Sequence, residues 1–178
     1  MRKILKNRLA LSTVVTTLII LVVSVLLAGV VTYFAINVVS TRSQQESLEI
    51  NYAHIWCDSS GNAIGALMIT NTGGRDVVIN QIQVRGQPVW PADTVYTSAA
   101  TVGTDLTSKS ATVLGAAPYV ASTGPIVLKS GSSIDVWVVT PGSVSTADIG
   151  TSVGFTVFTA QASYYHETNV QASSTSLA

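Results

Sequence analysis

The chain of 178 residues has one cysteine, Cys57, so no disulfide can form within it and packing alone must hold any folded part together. Cys57 itself reads as a small buried apolar residue on a strand. There are two histidines, His54 and His166, with no second ligand at metal spacing, and Cys57 falls on the opposite side of a strand from His54. No zinc centre is expected. The serines include no Gly-x-Ser-x-Gly elbow, and the glycines lie between strand-like runs, not ahead of a helix, so neither a hydrolase nucleophile nor a phosphate cradle is indicated. Asp58, Asp76, Asp93, Asp105, Asp135 and Asp148 are scattered, which suits solvated loop acids better than a calcium pair. No asparagine opens an Asn-x-Ser/Thr sequon, so N-linked sugar is not expected, although the Ser/Thr-rich stretch 97–123 has hydroxyls for O-linked sugar. No cofactor, metal or catalytic set is expected, and the chain reads as a non-enzyme.

Charge is also missing, over one long stretch. Between Arg8 and Arg42 there is no charged residue, and directly before that stretch stand Arg2, Lys3, Lys6 and Arg8. Beyond Ala10 five cations face nine acids, a balance of −4, too acidic to suggest nucleic-acid binding. As a helix the uncharged stretch would be about 50 Å long, against roughly 30 Å of bilayer hydrocarbon. It exceeds the apolar core of a cleaved secretory signal and has no AxA-like exit, and it is too long to be covered inside a small soluble core. It is therefore a membrane-inserting segment. Cations just before such a span stay cytoplasmic, which places the remainder after Arg42 outside the cell.

The leader Met1 to Ala10, with Lys6-Asn7-Arg8-Leu9-Ala10 followed by Leu11-Ser12-Thr13-Val14-Val15, resembles the class III, prepilin-type signal peptide of archaeal type IV pilins and archaellins. In that family a dedicated peptidase cuts on the cytoplasmic side after a small residue that follows a positive charge. The resemblance places the cut between Ala10 and Leu11, with Arg8 as the preceding cation. It implies a mature chain that starts with the helix, and as partners the prepilin-type signal peptidase and a pilus assembly machinery. This chain has Ser12-Thr13 where many archaeal pilins carry Ser-Pro, and Val15 where bacterial pilins carry a carboxylate.

Thr13, Thr17, Ser24, Ala28, Gly29 and Thr32 give the helix small and hydroxylated positions that allow close approach of another helix, and the hydroxyls can return to the i−4 carbonyl. A plain membrane anchor explains the same residues nearly as well. After Asn37 polarity rises, and residues 11–46 read as helix plus stalk. Leu48, Ile50 and Tyr52 then alternate with Glu49, Asn51 and Ala53, the period of a half-buried strand.

Residues 47–178 read as one extracellular all-β domain, a β-sandwich of immunoglobulin-like type with six to eight strands. Val77 and Ile79 differ in parity from Ile82 and Val84, which calls for a bulge near Gln81 or a strand buried on both faces. Gly86 to Pro91 should break the ladder, Ala92 to Gly124 should be an irregular excursion with one or two short strands, and Pro125 to Thr140 should form a hairpin. Gln171 to Ala178 is a Ser-rich tail expected to fray. Asn71-Thr72-Gly73 together with Leu128-Lys129-Ser130-Gly131 resembles turn motifs of extracellular β-domains in archaeal surface proteins. Trp56 and Trp137 should pack the sandwich, while Trp90, between two prolines, and Tyr164 and Tyr165 are the candidates for an interface.

Two functions fit this organisation. In one, copies pack by their helices into an archaeal type IV pilus-like cell-surface filament that displays the β-domains. In the other the helix stays in lipid, and the chain is a membrane-anchored extracellular binding module that does not polymerise.

Overall fold

The computed structural model describes residues 2–43, 45–90, 95–98, 103, 106–107, 109–139 and 141–178. They fall into two compact units, Met1–Ser43 and Gln44–Ala178.

The first unit is a single helix, α1 (Arg2–Ser43). It contains no proline and one glycine, so nothing in it breaks the i to i−4 ladder. Arg8, Ala10 and Leu11, the residues around the expected cut, lie within it. From Leu11 to Thr41 it is long and apolar enough to cross a membrane, with a mean hydropathy of 2.9 and none of that window buried.

Among its described residues the second unit is all-β apart from two short turns of helix. Its strands are β1 (Leu48–Cys57), β2 (Ala63–Asn71), β3 (Val77–Val84), β4 (Gln87–Trp90), β5 (Val95–Ser98), β6 (Val120–Ser122), β7 (Ile126–Leu128), β8 (Ser133–Val139), β9 (Ser152–Thr159) and β10 (Ser163–Ala172). A four-residue helix, α2 (Ala111–Leu114), precedes β6. The hydrogen-bonded path runs β4-β3-β9-β10-β1-β2-β8-β5-β6, with β7 on β3. All pairings are antiparallel except β1 with β10. Strand β10 makes the path curl: residues 163–169 pair with β9, then 170–172 pair with Ile55–Cys57 of β1.

The curl turns both halves onto one core, which gives the domain its sandwich-like form. Leu67, Ile69, Val136 and Val138 from one half meet Ile79, Ile82, Phe155 and Val157 from the other. The contact is tight at Gly65, where an added Cβ would lie 2.6 Å from Cζ of Phe155. A second cluster lies on the outer face of the β1-β2-β8 half. Trp56, Ile64, Ala66 and Trp137 are covered there by Leu114 of α2 and by Leu177, with Tyr96, Leu106 and Tyr119 around them.

Several expectations hold and others change. Val77, Ile79, Ile82 and Val84 are all buried, and the register of β3 on β9 shifts between Ile79 and Gln81, so the change of parity is a bulge. A second bulge lies between Ile50 and Tyr52 on β1, against the plain alternation expected there, and it puts Tyr52 on the outer face with His54 and Trp56. Gly86 to Pro91 does not end the sheet: Arg85 and Gly86, both at positive φ, form a two-residue turn and Gln87–Trp90 returns as β4. Pro88 is tolerated because β4 is an edge strand.

Residues 125–140 do not form a hairpin. The turn exists, with Ser132 N–H donating to Lys129 O at 3.1 Å, but β7 pairs with β3 and β8 with β2 and β5. The tail does not fray either: Gln171 and Ala172 are in β10, Ser173 N–H donates to Cys57 O at 2.8 Å, and Leu177 is 1% exposed. Trp56 and Trp137 are core residues as expected, although of the outer cluster. Among the described residues ten strands replace six to eight, because short strands at the edges are invisible to a periodicity argument.

Candidate functional site

The helix is the first candidate because its surface is uncovered. Its hydroxyls are tied down locally: Thr16 to Ser12 O at 2.9 Å, Thr17 to Val14 O at 2.9 Å, Ser24 to Ile20 O at 2.6 Å, Thr32 to Ala28 O at 2.8 Å and Thr41 to Asn37 O at 2.9 Å. Asn37 Nδ2 likewise donates to Tyr33 O at 3.0 Å. These groups therefore reach an apolar medium already satisfied. By helical period Thr13, Thr17, Ser24 and Ala28 fall on one side, with Thr32 at its edge and Gly29 further round. Around Gly29 a Cβ would meet nothing, a flat place on the rod.

Behind the helix, the chain is held at the start of the domain. Ser47 O accepts the N–H groups of Thr72 at 3.0 Å and Gly73 at 3.1 Å, and Thr72 Oγ1 donates to Ser47 Oγ at 2.9 Å. The Thr159 hydroxyl donates to the Glu46 carboxylate. Gly73 is required by space: an added Cβ would lie 2.7 Å from Ser47 N and 2.8 Å from Gln45 O.

Asn71, fully buried, organises this end. Its Nδ2 donates to Arg75 O at 2.8 Å and Leu128 O at 3.1 Å, and its Oδ1 accepts Gly73 N–H at 3.0 Å. Gly131 N–H donates to Asn71 O at 3.0 Å and Ser130 Oγ to Gly73 O at 2.7 Å. The Asn71-Thr72-Gly73 and Leu128 to Gly131 segments, far apart in sequence, are thus one hydrogen-bonded unit.

Of the three aromatic interface candidates, one must be withdrawn. Trp90 is 1% exposed, and its Nε1 donates to Ser122 O at 3.0 Å, so the ring is spent inside the domain. Pro91, which suggested a loop there, lies outside the described residues, as do Asp93 and Asp105. Tyr164 is half-buried against the inner core, and burial pushes its hydroxyl pKa up, opposed by the Leu48 amide and reinforced by Glu46. Tyr165 is 66% exposed.

Asp58, Asp148 and Cys57 are each fixed by local structure. Asp58 Oδ1 accepts the N–H groups of Ser60 at 2.9 Å and Asn62 at 2.8 Å, and Oδ2 accepts Asn62 Nδ2 and Leu177 N–H, each at 3.0 Å. The Leu177 amide, followed by the Asn62 side chain, holds this carboxyl down to about 2 in spite of its burial. Asp148 is also held down to about 2, first by Arg85, whose Nη2 lies 2.7 Å away, and then by Ser145. The Cys57 thiol is buried, and burial, then Asp58 and Asp148, push it up, away from thiolate chemistry. Among the described residues no cluster of three His, Cys, Asp or Glu side chains could hold a metal ion.

One cavity lies on the outer face, about 270 Å³, lined by Tyr52, His54, Gly103, Leu106 and Thr107. The His54 ring stacks on Trp56 with centroids 5.3 Å apart and planes 19° from parallel. Periodicity does not reveal this place, because the bulge at Asn51 reverses the parity of Tyr52 and because Gly103, Leu106 and Thr107 come from far along the chain. No protein-family model matches this chain, and no curated protein matches it in sequence.

Proposed function

We propose that the chain is a structural subunit of an archaeal type IV pilus-like filament at the cell surface. The basic leader is removed after Ala10, the helix leaves the membrane, and copies pack by their helices while the β-domains face outward. The reading is supported by the leader sequence and, above all, by the uncovered helix. Between Leu11 and Val39 the large apolar side chains are 46–71% exposed. At about 1 kcal/mol or more for each, leaving them in water would cost tens of kcal/mol, more than the roughly 5–15 kcal/mol that keeps a domain folded.

The helix therefore lives in lipid or among other helices. Exchange between those two media is close to neutral in hydrophobic free energy, so packing at Thr13, Thr17, Ser24, Ala28, Gly29 and Thr32 decides the outcome. The partners are further copies of the chain, membrane lipid before assembly, and the peptidase and assembly machinery that the leader implies. The precursor is a single-pass membrane protein with its N-terminus cytoplasmic, and the assembled protein is extracellular. The subunit carries out no reaction.

The second reading, a membrane-anchored binding module, draws on the same uncovered helix, whose polar groups are satisfied locally and need no helical neighbour. N-terminal sequencing together with electron microscopy of sheared cell-surface material tests the proposal. A start at Leu11 in filaments supports it, whereas the protein retained in membranes as unassembled units opposes it.

A further inference from the structure

Tyr165 of β10 lies down on its own sheet. Its Cα partner on β9 is Thr156, and its ring crosses diagonally to Gly154, where an added Cβ would fall 2.7 Å from Tyr165 Cζ. A side chain at residue 154 would lift the ring away. Resting on bare backbone, the ring is still 66% exposed, so one aromatic face is held against the sheet and the other is offered outward. Phe158, the other diagonal neighbour of Tyr165 on β9, is half-buried on the same side of the sheet.

Polar side chains flank the ring. Thr156 is paired in turn with Gln83 of β3, so Tyr165, Thr156 and Gln83 form one row across three strands, and Glu167 stands two residues along β10 from Tyr165. The side chains of Gln83, Thr156 and Glu167 make no hydrogen bond within the domain. Strands β3, β9 and β10 are described from end to end, and Glu167 is the one acid or base with a fixed charge on them. Arg85, whose N–H donates to Gly154 O at 2.9 Å, has its guanidinium paired with Asp148 at 2.7 Å.

We propose that this sheet face binds a neutral oligosaccharide by stacking one sugar ring on Tyr165. A sugar has an apolar C–H face for the aromatic ring and a rim of hydroxyls for the amide, hydroxyl and carboxylate beside it. The Glu167 carboxylate accepts hydroxyl donors and repels phosphate or uronate, which selects for an uncharged chain. An apolar protein surface laid here would cover Gln83, Thr156 and Glu167 without bonding them, at a cost of about 1–3 kcal/mol for each. The row runs across the strands of an open sheet, so it admits a ring from within a polymer. The site does not depend on whether the helix polymerises.

Saturation-transfer NMR on the full chain, in a detergent without a sugar headgroup, tests this with cellohexaose, laminarihexaose, mannohexaose and chitohexaose, and with hexagalacturonate as the charged comparison. At least one neutral oligosaccharide should bind with saturation on its ring C–H protons. Tyr165→Ala should weaken that binding about tenfold, and Tyr165→Phe, which keeps the ring, should stay close to the parent. Gln83→Ala should weaken it too, and Tyr52→Ala, 56% exposed on the other half, should leave it unchanged. The proposal is overturned if no neutral oligosaccharide binds, if only hexagalacturonate binds, if Tyr165→Ala binds as the parent does, or if Tyr165→Phe or Tyr52→Ala loses as much as Tyr165→Ala.

Discussion

The Leu177 N–H donates to Asp58 Oδ2 at 3.0 Å, a bond between residues 119 apart in sequence. It closes the outer cluster: the Leu177 side chain covers Trp56 and Trp137, and its backbone seals the turn that follows β1. Leu177→Ala should therefore destabilise the domain by about 2–5 kcal/mol, as for a buried leucine elsewhere. Chemical denaturation reads this as a lowered midpoint, with tryptophan emission shifted to the red. An unchanged midpoint would mean that the tail contributes nothing.

The same bond sets a pH dependence. Asp58 and Asp148 have carboxyls at about 2 in the folded domain against an ordinary 3.8, so below pH 5 the unfolded chain binds more protons than the folded one. Their contribution is complete above the unfolded value and is lost as pH falls through about 2. Stability should decline between about pH 5 and pH 2, and Asp58→Asn should flatten the decline. Thermal unfolding followed by circular dichroism across that window checks both. A parent protein as stable at pH 2 as at pH 6 would contradict the assignment.

Gly73 tests the way the chain is held ahead of β1. Its side-chain space is filled by Ser47 and Gln45 backbone, so Gly73→Val should cost more than about 1 kcal/mol and expose the Thr72 and Gly73 amides to hydrogen exchange, while amides of β9 stay protected. Equal protection in the variant and the parent would show that the segment can move aside at little cost.

Trp90 and Tyr165 separate core from surface. Trp90→Ala should destabilise by about 3–5 kcal/mol, whereas Tyr165→Ala should stay within about 0.5 kcal/mol. If Trp90→Ala left stability intact, the ring would be a surface group after all.

Much of this architecture was legible in the sequence where one face decides. The uncharged run between Arg8 and Arg42 gives α1 directly, Cys57 is buried as its strand context suggests, and the parity change between Ile79 and Ile82 locates a real bulge. Long-range partners hid the rest. Tyr52 reads as inward because nothing local marks the bulge at Asn51, and Trp90 reads as loop because its prolines obscure an edge strand. The tail reads as frayed because Leu177 is a lone apolar residue among serines, and only its packing with Trp56 and Trp137 across the fold makes it a plug. Pro125 to Thr140 reads as a hairpin because a turn does not say that its strands separate to opposite halves of a sandwich.

The central claim is that α1 packs against α1 of other copies, and cysteine cross-linking tests it most directly. Cys57 is buried with its thiol pushed up, so an added cysteine at Ser24 or Ala28 is the one reactive thiol. In sheared surface material under mild oxidation, Ser24→Cys and Ala28→Cys should give disulfide-linked dimers starting at Leu11, and the parent protein none. Uncross-linked monomer of full length, recovered only from the membrane, would contradict the account.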